Sequence, residues 1–144
     1  MLSKPVCGWT TIKIKDWSDR ASYLTNIHLD LLNSLINSYS EYCQPACIRY
    51  DAEGWEGIIV IDDYWTYIIS EDADSENEEE VKSEVLTIEI NRDDLAKELI
   101  EDIEQNFNDW CDWQYWQDEE DMLIQKEELS MSLNKLKNII ERRG

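Results

Sequence analysis

The sequence predicts an α+β fold: an antiparallel sheet of four to five strands with one early helix and two C-terminal helices, in a single domain over residues 1–144. Three observations lead there. Short β-type segments follow one another from residue 46 to residue 91 with no helical stretch between them, and closely spaced strands of that kind pair as an antiparallel meander. One helical pattern precedes that run and two long ones follow it. Only 4 Gly and 2 Pro occur, so regular elements joined by short connections must fill most of the 144 residues. The length allows a real core, and the 42% apolar content, with 7 Trp and 7 Tyr, separates the chain from a disordered acidic tail.

Taken in order, Thr10 to Lys15 alternates polar and apolar side chains, the period of a half-buried strand. Asp16 to Asn26 reads as a polar connection carrying Trp17 and Tyr23. From Ile27 to Tyr42, the side chains Leu32, Leu35, Ile36, Tyr39 and then Cys43 recur at helical spacing, and Pro45 stops the helix. Ala46–Asp51, Gly57–Asp62 and Tyr64–Ser70 are strands, joined by a Gly54/Gly57 turn and a tight turn at Asp62-Asp63. Glu71–Glu80 is an acidic loop with seven carboxylates in ten residues, after which Val81–Asn91 resumes as a strand.

Asn91 is placed to cap the next helix, and Asp93-Asp94 in the first turn suits its dipole. Leu95, Leu99, Ile103, Phe107 and Trp110 form one stripe, which predicts a single continuous helix. At about 100° per residue, Glu98, Glu101, Asp109 and Asp112 lie opposite that stripe. Continued to residue 116, the same helix brings Trp116 among those carboxylates and puts Trp113 on the border. A last helix follows a break at Gln117-Asp118, with Met122, Leu129, Leu133, Leu136 and Ile140 as its apolar members. Acids open it and Arg142-Arg143 close it, as the dipole prefers. Its apolar spacing covers too few heptads for a coiled coil, so packing within the chain is expected rather than assembly through this helix.

Charge is the most informative property. There are 13 Lys+Arg and 33 Asp+Glu, a formal net charge of −20. Residues 1–50 carry five basic and four acidic side chains, net +1; residues 51–121 carry three and 26, net −23; residues 122–144 carry five and three, net +2. Solubility needs a net charge of only about 2–8, and a dense block of one sign repels itself. Adaptation to high salt would acidify the whole surface, whereas these flanks are near neutral.

Little points to catalysis. His28 is the only histidine and sits at a helix start, a place for packing or capping. No nucleophile, phosphate loop or cofactor signature is present, so no enzyme activity, no catalytic residue and no cofactor are expected. Asp72 to Glu76 alternates oxygen ligands, but Asn77 and Ser83 stand where a calcium loop of the EF-hand type needs Gly and Glu, so no metal is expected there. Cys43 and Cys47 find no further Cys or His to complete a zinc site, and the four cysteines read as buried free thiols of a reducing compartment. The first residues lack the apolar stretch of about 7–15 that a signal peptide needs, and no run approaches the about 18 that span a bilayer. A cytoplasmic protein without membrane contact is expected.

Aromatics concentrate beside the charge: Trp110, Trp113, Tyr115 and Trp116 lie within seven residues. Rings among carboxylates make anchors for Arg and Lys through stacking and cation–π contact. The expected partner-binding set is therefore Glu98, Glu101, Asp109, Asp112, Trp113, Tyr115 and Trp116, and the expected partner is a basic protein rather than nucleic acid, whose phosphates such a surface repels. In size, acidity and lack of catalytic motifs the chain resembles the small immunity proteins of bacterial toxin–immunity pairs. That resemblance is of class, without an aligned motif, and implies neutralisation of a basic, nuclease-type toxin. The alternative is a nucleic-acid mimic of the phage anti-restriction or anti-CRISPR kind, its carboxylates standing in for phosphates and blocking a DNA-binding defence enzyme. Against it stands the aromatic richness, since a mimic needs charge spacing more than tryptophan.

Overall fold

Alternation in Trp9–Ile14 (β1) buries Thr10, Ile12 and Ile14 and leaves Lys13 outside, as a strand with one covered face requires. β1 turns back at Lys15-Asp16, with Lys15 at φ 52°, and pairs antiparallel with Trp17–Ser22 (β2). This second strand lies where a polar connection is expected. Its sequence offers no apolar alternation; pairing with β1 imposes the strand. Asp19 then ties β2 to the main sheet, accepting hydrogen bonds from the Tyr50 hydroxyl at 2.5 Å and from Trp55 Nε1 at 2.9 Å. The computed structural model describes residues 1–40, 44–72, 84–114 and 117–144.

The helix α1, Ile27–Ser38, buries Leu31, Leu32, Leu35 and Ile36 on one side. Tyr39 caps it, so it ends before the expected Tyr42; Tyr42 and Cys43 themselves lie outside the described residues. Ala46–Asp51 (β3), Trp55–Ile61 (β4), Trp65–Asp72 (β5) and Glu84–Glu89 (β6) form a four-stranded antiparallel sheet in the order β3-β4-β5-β6. The meander is the predicted one. The expected fifth strand, β1, joins its own two-stranded sheet instead. Most of the acidic loop lies outside the described residues.

Register assigns the two faces of the large sheet. Ile48, Ile59 and Ile68 stand in line on the inner face, and so do Ala46, Ile61, Thr66 and Ile88. All seven are buried. The outer face carries Arg49, Ile58, Ile69 and Val85 in one row and Cys47, Val60, Tyr67 and Thr87 in the next. None of these outer side chains joins the core cluster.

Tyr50 and Gly57 face each other across β3 and β4, and the absence of a side chain on Gly57 is what admits the ring. A Cβ there would lie 2.3 Å from Tyr50 Cζ. The ring has no easy escape, being fully buried, bonded to Asp19 and edge-on to Trp17 at 6.4 Å. Gly57→Ala should therefore cost about 1–3 kcal/mol through overpacking. Urea unfolding of the variant beside Tyr50→Phe separates this steric cost from loss of the Tyr50–Asp19 bond; a midpoint unchanged by Gly57→Ala would show that the ring can move aside.

Asn91 caps α2, Arg92–Gln105, accepting from the amides of Asp93 at 2.8 Å and Asp94 at 3.4 Å. Contrary to the single stripe, the helix stops at Asn106 (φ −124°, ψ 35°), and a separate short helix α3, Phe107–Cys111, takes the chain onward. The Asn106 amide bonds back to the Asp102 carbonyl at 3.4 Å. A side chain that competes in this way for the last-turn carbonyls ends a helix without Gly or Pro. The C-terminal part thus holds three helices, not two. The last, α4, is Glu119–Arg143, capped by Asp118 on the Asp121 amide at 2.8 Å and burying Leu129, Leu133, Leu136 and Ile140. α1 packs between β3 and α4, and α2 lies against α4. Among the described residues no helix is long and apolar enough to cross a membrane.

Candidate partner-binding surface

Helix α2 sets the first half of the predicted surface. Leu95, Ala96, Leu99, Ile100 and Ile103 face the core, which leaves Glu98 and Glu101 outward, one turn apart. Glu98 lies 3.5 Å from the Met1 ammonium, whose closer partner is Asp102 at 2.5 Å; Asp102 also accepts from the Leu2 amide at 2.9 Å. Asp102, missed by helical periodicity because it flanks the buried stripe, thus ties the chain start to α2. Glu101 borders a shallow groove between α2 and α4, where Lys97, Lys137 and Glu141 also stand. Lys137 reaches Glu104 at 2.5 Å. This half of the surface is acidic but interspersed with lysine.

The other half rides on α3. Asp109 and Asp112 are exposed, with no described cation within ion-pair distance of either. Because α2 ends at Asn106, the four carboxylates do not form one ladder on one helix; Glu98 and Glu101 lie on α2, Asp109 on the short α3, and Asp112 at the C-cap of α3.

Trp113 is a correction. It is fully buried, with Nε1 donating to the Thr25 carbonyl at 2.8 Å, and so cannot serve as a surface anchor. The break at Asn106 redirects the chain so that Trp110 and Trp113 close over α1. Their centroids lie 5.3 Å apart, and both meet His28, stacked on Trp110 at 4.8 Å and edge-on to Trp113 at 6.0 Å. Tyr115 and Trp116 lie outside the described residues.

His28 packs, as a lone histidine at a helix start should. Burial lowers its pKa to about 3, and neither ring nitrogen has a hydrogen-bond partner among the described residues. It is therefore neutral at physiological pH. The cysteines depart from expectation: Cys111 is buried, but Cys7 and Cys47 are exposed, Cys47 because it points outward from the edge strand β3. Cys43 lies outside the described residues. Burial pushes the Cys111 thiol up, away from the reactive thiolate form.

Sequence reasoning also missed where the arginines go. Tyr39, after α1, is flanked by Arg92 at 4.0 Å and Arg143 at 4.8 Å from its ring centre, and its hydroxyl donates to Asp93 at 2.5 Å. Arg143 Nε reaches both Asp93 oxygens, at 3.2 and 3.1 Å, and Arg92 pairs with Asp63 at 3.2 Å. Burial works against ionisation of Asp93, but the hydrogen bonds from Tyr39 and Arg143 outweigh it and hold the carboxyl below its usual value. This clasp joins the ends of α1 and α4 to the start of α2 and the β4–β5 turn. It uses two arginines internally, which leaves the outer carboxylates short of counter-charge.

Among the described residues no group of His, Cys, Asp and Glu is arranged to hold a metal ion. Compared with known proteins, the chain matches no family model, no curated protein and no solved structure.

Proposed function

We propose that the chain is a non-catalytic binding protein of the cytoplasm that neutralises a basic, nuclease-type toxin, in the manner of an immunity protein. What supports this reading is the uncompensated charge: Glu101, Asp109 and Asp112 stand exposed without a described ion pair while Arg92 and Arg143 are held in the Tyr39 clasp. A nuclease binds phosphates through Lys and Arg, and a carboxylate surface can occupy that site. The field of such a surface also speeds capture, to about 10⁸–10⁹ M⁻¹s⁻¹ at low salt.

The test is capture from the source organism at about 50 and about 200 mM salt, the range over which contacts of this kind weaken most. A nuclease that is held at low salt and inhibited by one equivalent of the chain is the expected result. A captured DNA-binding defence enzyme would favour the nucleic-acid mimic instead. With the partner in hand, Glu101→Lys with Asp112→Lys should leave unfolding unchanged, slow association by about tenfold and flatten its salt dependence. Rates unaffected by both reversals would move the contact away from α2 and α3.

A further inference from the structure

A strand covered on both faces reads as a continuous apolar run, and one covered on a single face alternates. Gly57-Ile58-Ile59-Val60-Ile61 in β4 and Tyr67-Ile68-Ile69 in β5 are of the first kind. Yet the core cluster takes only their inner members, Ile59, Ile61 and Ile68. The outer face presents Ile58, Val60, Tyr67 and Ile69, half-buried against one another, with Val85 63% and Trp65 43% exposed at the β5–β6 side. A contiguous apolar patch of this kind marks an interaction site rather than ordinary surface.

Its rim says what fits. Asp51, Glu56 and Glu89 stand on the same face; the cations beside them are Arg49, 3.8 Å from Glu56, and Lys15, whose ammonium donates to the Glu89 carbonyl. Residues 46–89 carry two basic and fourteen acidic side chains, net −12. A second copy would oppose these carboxylates with its own, each chain bearing −20. Residues 73–83, which join β5 to β6, contain Ala73 and Val81 as their only apolar residues and so offer little to cover six apolar side chains.

We infer that the outer face of the β3–β6 sheet is a docking surface for a protein partner whose apolar patch is ringed by Lys and Arg. This inference rests on the basic-partner reading above and assigns that partner a second contact, apolar at its centre, beside the helical carboxylates.

Two probes separate the ideas: a peptide alternating Lys and Val, and polylysine of equal charge. Binding is followed together with alkylation of Cys47, which lies on this face and is exposed, resolved from the other cysteines by mass spectrometry. The Lys–Val peptide should bind, protect Cys47, and lose about tenfold or more in affinity when Val60→Thr and Tyr67→Thr remove the apolar centre but keep β-forming side chains. Polylysine should bind parent and variant alike and leave Cys47 reactive. Equal binding of the Lys–Val peptide to both proteins, with Cys47 unprotected, would overturn the docking surface while leaving the acidic reading intact. Failure of both probes to bind would overturn the two together. Three further results would give the face to another occupant and so overturn the inference: a dimer in sedimentation that the Thr variant dissolves, tighter peptide binding after residues 73–83 are replaced by a short turn, or adsorption to phosphatidylcholine vesicles that the Thr variant abolishes.

Discussion

Trp113→Ala should lower the stability of the fold by about 3–5 kcal/mol, the range for emptying a buried large aromatic site. The ring is fully buried, meets Trp110 and His28, and holds the Thr25 carbonyl through its indole N–H. Deleting it opens a cavity and orphans that carbonyl if water does not reach it. Trp113→Phe keeps most of the volume and should cost less, with the lost hydrogen bond contributing about 1 kcal/mol. Guanidinium or urea unfolding reads both. A variant that binds a basic partner more weakly but unfolds at the parent's midpoint would return Trp113 to the partner-binding set, beside the border position that helical periodicity gave it.

Acid should destabilise the protein through His28, beginning above the range in which carboxylates titrate. A free histidine titrates near 6.5, whereas the buried ring is lowered to about 3 because desolvation penalises its cation. Below the free value the unfolded chain takes up a proton that the folded chain refuses, so stability falls as pH falls. The contribution is complete above pH 6.5 and is lost progressively toward pH 3. At 1.36 kcal/mol per unit this is about 2 kcal/mol by pH 5 and about 5 kcal/mol over the whole window. His28→Leu removes the titration, so the informative quantity is the difference between parent and variant stability as pH is lowered from about 7 to about 5. The parent should lose stability faster. Parallel curves would mean that the ring is hydrated or finds a partner for its proton in the folded state.

The two expectations share one cause. The Asn106 break swings α3 so that Trp110 and Trp113 seal His28 from solvent. Polar satisfaction is incomplete there among the described residues, since Trp110 Nε1, Thr25 Oγ1 and Asn26 Oδ1 find no partner among them either. The neutral imidazole is the form such a site tolerates.

What the sequence determined by itself is local. Asn91 announces its helix because a cap is a side chain bonding amides two or three residues away. The α4 stripe and the β3–β6 meander follow from periodicity within single elements and from connections too short for anything but antiparallel neighbours. Net charge and its central concentration need no structure at all. What only the tertiary structure decided is non-local. β2 is a strand because β1 and Asp19 hold it to partners, not because of its own six residues. The helical stripe ran unbroken through Phe107 and Trp110 because both sides of Asn106 face the core, so periodicity could not register a break that turns the chain without changing which residues are apolar. The apolar runs of β4 and β5 likewise give both faces of the sheet apolar side chains. Which of those faces the chain covers depends on where α1 and the β1–β2 hairpin come to rest, a matter of packing between segments distant in sequence rather than of any pattern within a strand.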